Sequence, residues 1–332
     1  MKLGVTLGGR DAAAVAACAR LAESLGYDSL WRGEAYGGDA ATVLAFAAAH
    51  TSRVLLGTSI LQMPSRSPAM AAMTAISLDE LSGGRAVLGL GTSGPQVVEG
   101  WHGVPFSAPL ALTEDYVAIV RKVIAGSGKV EHDGKVLTLP YRGPGSTGLG
   151  KAMRPGLHTR PDIPVHLAAI GPRNVALAVR IADGLLPILW NPHRWRETFG
   201  DALADAPAGF EVSPSVPAAI GDDLATCRDK VRPVLGTYIG GMGATGRNFY
   251  NDLIRRYGWE AVAEEVQERY LAGDRRGAFA GLPDDLVDEL ALVGDRAHVA
   301  SQLDAWRASG VTRLVLAAPS EPAMRLLAEL VL

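Results

Sequence analysis

Short aliphatic and β-branched runs alternate along this chain with longer stretches whose apolar residues recur at helical spacing. Lys2–Leu7 predicts the first strand. Asp11 is placed to cap the following helix, which runs to Leu25 and stops at Gly26. Ser29–Arg32, Arg53–Thr58 and Ala86–Leu90 predict three more strands, with helices over Ala40–Ala48 and Met70–Leu81. Strands regularly separated by helices are the signature of a parallel sheet.

The rhythm then breaks. Trp101–Leu112 reads as a loop and Thr113–Ala125 as a helix. Val130–Leu139 reads as a hairpin turning at His132-Asp133-Gly134, and the Gly- and Pro-rich stretch Tyr141–Pro164 as a surface excursion. Alternation resumes with a strand over Pro164–Ala169, a helix over Asn174–Ile181 and a strand over Gly184–Leu189. A further strand spans Val212–Ile220, and Asp222 caps a helix ending before Gly236. Gly240–Leu282 reads as a second insertion, glycine-rich and then helical. The last unit starts at Gly294-Asp295, with a helix over Ala297–Ser309 and a strand over Arg313–Ala317. These eight strands predict one α/β domain over residues 1–332, a (β/α)8 TIM barrel. Its insertions fall after strand four and before the last βα unit.

Composition narrows the function. A chain of 332 residues with 48% hydrophobic residues supports one large core. Its net charge of −3 argues against a nucleic-acid partner, which calls for a basic face. No run approaches the ~20 apolar residues of a membrane span, and Met1–Leu7 is too short for the core of a signal peptide. Cys18 and Cys227 lie far apart in helical patterns, which fits a reducing cytoplasm. The seven histidines show no paired ligand spacing, so no metal site is expected.

A barrel carries its chemistry on the loops that follow its strands. Strand two leads into Gly33-Glu34-Ala35-Tyr36, strand three into Ser59-Ile60-Leu61-Gln62-Met63-Pro64, and strand four into Gly91-Thr92-Ser93-Gly94-Pro95-Gln96. Strand five leads into Ile170-Gly171-Pro172-Arg173-Asn174, where a helix begins. Free backbone N–H groups there suit an anion, although an ordinary tight turn capped by Asn174 reads equally well from local sequence. Gly89-Leu90-Gly91-Thr92-Ser93-Gly94 matches G-x-G-x-x-G, but on the fourth strand rather than the first. It therefore predicts close backbone approach to a flat ligand rather than a dinucleotide fold. Glu34 is the best-placed acid or base. The competing reading is a solvated carboxylate or an ion pair with Arg32. Tyr36, Met63, Trp101, His102 and Tyr238 are candidates for a substrate pocket.

Leu78-Asp79-Glu80-Leu81-Ser82-Gly83-Gly84-Arg85, followed by Leu88-Gly89-Leu90-Gly91-Thr92, resembles the luciferase-like oxidoreductases. Four more stretches are similar to the deazaflavin-dependent members, among them the methylenetetrahydromethanopterin reductases. These are Glu34-Ala35-Tyr36-Gly37, the run from Ser93 to Trp101, Ala169-Ile170-Gly171-Pro172, and Gly240-Gly241-Met242-Gly243 leading to Asn248-Phe249-Tyr250. The resemblance implies a homodimeric barrel with a redox cofactor at the C-terminal rim. It implies a cis peptide at Ser59–Ile60 behind the central ring, a phosphate loop over Ala169, Ile170, Gly171 and Pro172, and a ring-facing loop over Gly91, Thr92 and Ser93. Several alcohol-oxidising relatives have an Asp-His pair after strand two, with the histidine as base. Here the positions are Glu34 and Ala35, so the imidazole is missing.

The expected function is hydride transfer between coenzyme F420 and a small organic substrate. Reduction of C=C or C=N, with Glu34 or the cofactor's own hydroxyl handling protons, is favoured over alcohol oxidation. The alternatives are an FMN-dependent monooxygenase of the same fold and a cofactor-binding barrel without turnover.

Overall fold

The alternation of apolar runs and amphipathic stretches is realised as a ring of parallel strands in the computed structural model, which describes residues 1–9, 11–156 and 160–332. The strands are β1 (Lys2–Thr6), β2 (Ser29–Arg32), β3 (Leu55–Thr58) and β4 (Ala86–Gly91). They continue with β5 (Val165–Leu167), β6 (Gly184–Leu185), β7 (Ser215–Ile220) and β8 (Arg313–Ala317). Apart from β6 and β7, neighbours pair in parallel, and β8 returns to β1 at Arg313↔Lys2. The joint between β6 and β7 is made by Glu211–Val212, which pairs with β6, and by a parallel bridge from Ile188 to Ser215. This is the expected barrel, with two differences in strand content.

Val212–Ile220 was expected as one strand but is interrupted at Ser213-Pro214, because Pro214 has no N–H to continue the ladder. Two short strands were not foreseen. Leu61–Gln62 pairs with the end of β4, and Leu292–Gly294 lies beside β7.

Several helices start earlier than their apolar pattern, since proline occupies their first turn. Examples are Pro68–Ser82, Pro109–Ala125 and Pro172–Ile181. Asp11 and Asp39 cap the first two helices as acceptors for Ala14 N (2.8 Å) and Thr42 N (2.6 Å). Asp223, not Asp222, caps Leu224–Gly236, which passes through Gly236 into a π-helical turn over Thr237–Gly241. A short helix, Pro95–Gly100, lies in the strand-four loop, and Glu321–Val331 adds an amphipathic helix at the end. The hairpin forms between His132–Asp133 and Thr138–Leu139, so its turn falls at 134–137, closed by Gly134 N to Leu137 O (3.0 Å), and not at His132-Asp133-Gly134 as expected. Positions 157–159 of the expected surface excursion lie outside the described residues. Among the described residues, no helix is long and apolar enough to cross a membrane.

One indole fills much of the barrel interior. Trp31 is fully buried, and its partner across the strand pair is Gly57, where a Cβ would overlap the ring. Below it Arg313, also fully buried, donates to Asp28 Oδ2 (2.8 Å) and Glu211 Oε2 (2.6 Å) and lies 5.7 Å from the Trp31 ring. A buried guanidinium tolerates this place because two carboxylates pair with it.

His166 packs against the same cluster. Burial pushes its imidazole down to about 4, the largest influence, and Arg313 pushes the same way against the pull of Glu211. The folded state thus binds the proton less readily than the unfolded chain, so stability is full above about pH 6.5 and falls as pH drops toward 4. A loss of up to ~3 kcal/mol is expected across that window, and His166→Gln should remove it. Urea denaturation at a series of pH values reads both, and an unchanged pH slope in the variant would count against this assignment.

Candidate active site

The C-terminal ends of β2, β3, β4 and β5 converge on one side of the mouth. After β3 the chain bulges through a cis Ser59–Ile60 peptide before resuming at Leu61. The bulge is tied down on both flanks. Ser59 N donates to Arg32 O (2.7 Å) and Glu34 N to Ile60 O (3.1 Å). Thr58 Oγ1 donates to Gly89 O (2.8 Å) and accepts from Gly89 N (2.8 Å). Gly33 is a requirement of this geometry, because a Cβ there would overlap the Ser59 carbonyl oxygen. At Gly91 a Cβ would lie 2.6 Å from Ile60 Cδ1. The Ile60 side chain therefore rests over the bare backbone of β4.

Ser93, one turn beyond β4, has φ of +61°, and Ala318, directly after β8, has φ of +43°. Left-handed backbone at residues other than glycine is costly and collects at functional rims. Beside Gly91 and Thr92 lies a narrow recess of about 20 Å3. Met63, Ala169 and Asn174 also line it.

Gly171 stands at the N-cap of helix Pro172–Ile181. No side chain caps it, and nothing lies within 4 Å of a Cβ built there. Its first-turn donors therefore face open space, the arrangement that suits an anion. Arg173 points to the outer surface and lines a separate groove with Lys135 and Arg180. Arg256 is the cation nearer the loop, with Nη1 3.4 Å from Ile170 O. Its position was not legible, because it arrives on a helix of the second insertion, Phe249–Arg256.

Glu34 is held by Arg66, which donates to both carboxylate oxygens at 2.9 and 3.1 Å. This is the ion pair contemplated for Arg32, which instead donates to Leu7 O (2.6 Å). Arg66 also pairs with Asp39 at 2.8 Å. Burial opposes the charge on Arg66, yet the carboxylates of Glu34 and Asp39 outweigh it and hold the guanidinium above its ordinary value. Gln62, buried beside Glu34, donates from Nε2 to Glu34 O (3.1 Å) and meets His102 Nε2 at 2.5 Å through Oε1. Neither Arg66 nor the Gln62–His102 contact was foreseen.

An aromatic rim surrounds these groups. Tyr36 and Trp101, both exposed, meet edge to face at 6.2 Å, and Tyr238 meets Tyr250 in the same manner at 5.0 Å. Burial, with smaller contributions from neighbouring tyrosines, raises the hydroxyls of Tyr238 and Tyr250 above the ordinary phenol range, so they remain hydrogen-bond donors. The Gly240-Gly241-Met242-Gly243 run earns its glycines by packing. A Cβ at Gly240 would lie 2.7 Å from Tyr270 Cβ, and one at Gly243 2.7 Å from Asn248 Cα. Asn248 then donates to Ile239 O (2.9 Å), fixing the π-helical turn that carries Tyr238. Tyr250 was noted only as part of a motif. Among the described residues no group of three or more His, Cys, Asp or Glu is placed to hold a metal.

Comparison with known proteins adds four findings. The luciferase-like monooxygenase profile matches residues 2–313. A Mycobacterium tuberculosis protein, assigned by name only as a coenzyme F420-dependent oxidoreductase, is 44% identical over 100% of this chain and 99% of its own. A 5,10-methylenetetrahydromethanopterin reductase of Methanolobus tindarius is 26% identical, covering 93% of this chain and 91% of its own. Among solved structures, the coenzyme F420-dependent tetrahydromethanopterin reductase of Methanopyrus kandleri superposes with a TM-score of 0.81 at 23% identity, covering 99% and 97% of the two chains.

Proposed function

The chain belongs to the luciferase-like monooxygenase family, and from that membership we propose that it is an F420-dependent oxidoreductase reducing a C=C or C=N bond of a small organic substrate. The full-length similarity to a relative assigned as F420-dependent carries the cofactor class. The bond type is supported by Ala35, which stands exposed where alcohol-oxidising relatives are expected to have their base.

The mouth fits such a cofactor in three respects. Gly171 leaves an uncapped helix N-terminus open to a phosphate. The Ser59–Ile60 bulge and Gly91 present backbone and one aliphatic side chain to a flat ring. A recess lined by Gly91, Thr92, Ala169 and Asn174 joins the two regions. When bound, a reduced deazaflavin supplies a hydride. The protein's own share is positioning and water exclusion. Ser59, Ile60, Gly91, Thr92 and Ser93 orient the ring, and Ala169, Ile170, Gly171 and Pro172 anchor its phosphate. Tyr36, Met63, Trp101, His102 and Tyr238 bound the substrate side. Glu34, clamped by Arg66, holds the β2 loop to the bulge.

We further propose a homodimer in the cytoplasm. Phe46, Met70, Met73 and Leu81 are exposed on the helices after β2 and β3, an apolar surface that a second copy would cover. Sedimentation giving only monomer would remove that part. The unpaired Cys18 and Cys227 support a reducing compartment.

The test of function is turnover. Protein mixed with reduced F420 and an unsaturated acceptor is expected to regenerate oxidised F420 absorbance. Oxidation of alcohols with F420 instead, or oxygen uptake with reduced FMN, would overturn the reading.

A further inference from the structure

We propose that His102 is the proton-transferring residue of this site, with Gln62 the positioning residue that fixes its tautomer. The proposal rests on the F420-dependent reading above and supplies the imidazole that Ala35 lacks, from the strand-four loop, through Gln62 and the Glu34 carbonyl beside it.

The amide of Gln62 has only one consistent orientation. Its Nε2 donates to the Glu34 carbonyl at 3.1 Å, so the atom facing His102 is Oε1, an acceptor. His102 Nε2 must therefore carry the hydrogen across the 2.5 Å contact. That bond survives in both charge states of the ring, because Nε2 is a donor in each. Proton exchange is thus confined to Nδ1, which is a lone pair in the neutral ring and an N–H in the imidazolium. A ring whose far nitrogen is held by a buried side chain is the arrangement by which histidine bases are aimed.

Gln62 is itself rigid. It is only 5% exposed, and its short strand pairs with β4 at Gly91, in the expected ring-facing loop. Its backbone N–H also lies 3.4 Å from Glu34 Oε2. Behind Gln62 stand the charges of Glu34, Arg66 and Asp39, already paired with one another. On its own segment, Glu99 is turned to the Phe106 backbone N–H (3.4 Å). Tyr36 packs on Trp101, the neighbour of His102, and Tyr238 and Tyr250 stand near Tyr36. Glu34 is poorly suited to deliver the proton, because both its oxygens are held by a guanidinium.

The step balances as follows. An acceptor C=N bond gains, at carbon, the hydride that a reduced deazaflavin supplies, and its π electron pair moves to nitrogen. That nitrogen takes the proton from His102 Nδ1, leaving neutral imidazole, which is reprotonated by water. A C=C bond is served in the same manner, with the second carbon as proton acceptor.

The experiment uses the full-length protein, wild type, H102Q, H102A and Q62L. F420 affinity comes from fluorescence titration, and kcat from reoxidation of reduced F420 by an unsaturated acceptor. H102Q is expected to bind F420 within about threefold of wild type, while kcat falls ~100-fold or more and the pH profile loses one limb. Added imidazole should restore part of the H102A rate. Q62L should lower kcat ~10-fold and displace the same limb, without a matching change in KM. Wild-type kcat and pH profile in H102Q, alongside normal F420 binding by the parent protein, would overturn this proposal alone. A parent protein that ignores F420 would overturn it together with the functional reading.

Discussion

Gly171→Asp weakens F420 binding by ~100-fold or more while raising the melting temperature, as expected for a helix N-terminus that is kept uncapped for a ligand. The backbone at Gly171 is extended, with φ of −93°, and a new Cβ meets nothing within 4 Å, so the side chain fits without strain. An aspartate there becomes the missing N-cap. It accepts from the first-turn N–H groups and stabilises the helix by ~0.3 kcal/mol as a better cap than glycine, with ~0.3–1 kcal/mol more from its charge at the helix N-terminus. The same contacts remove those donors from the phosphate and set a negative charge against it. Opposite signs for affinity and stability are the signature. Fluorescence titration and thermal melting read them on one sample, and unchanged affinity would take this loop out of the site.

Gly89→Ala destabilises the protein by ~3 kcal/mol or more, an overpacking effect with no side chain able to yield. Its Cβ would overlap the carbonyl oxygen of Thr58 and lie 2.7 Å from Leu186 Cδ1. The carbonyl belongs to β3, whose Thr58 hydroxyl bonds both the N–H and the C=O of Gly89. Relief therefore means prising apart two adjacent barrel strands directly below the bulge. Urea denaturation checks the loss, and a midpoint equal to wild type would show that the strands yield easily. The first two glycines of the G-x-G-x-x-G match are thus explained by strand proximity at Gly89 and by Ile60 at Gly91.

Much of the barrel was legible because strands and amphipathic helices repeat apolar residues at different periods, and Asp11 announced its helix through capping chemistry. Leu61–Gln62 and Leu292–Gly294 are too short to display any period, and only their neighbours make them strands. The break before β7 was missed although Pro214 marks it, since a proline cannot donate within a ladder. At Pro68, Pro109 and Pro172 proline opened helices rather than ending them. Site residues on the strand tips followed from barrel logic alone. Their partners did not. Arg66 reaches Glu34 across 32 positions and His102 reaches Gln62 across 40, and both meetings depend on how the Ser59–Ile60 bulge aims the chain. Local pattern carries no information about such closures.

The most direct measurement is a side-by-side titration of the purified, cofactor-stripped protein with oxidised F420 and with FMN, followed by fluorescence. Saturable, tight binding of F420, with FMN weaker by ~100-fold or more, is the predicted result. Tight FMN binding with no response to F420 would contradict it.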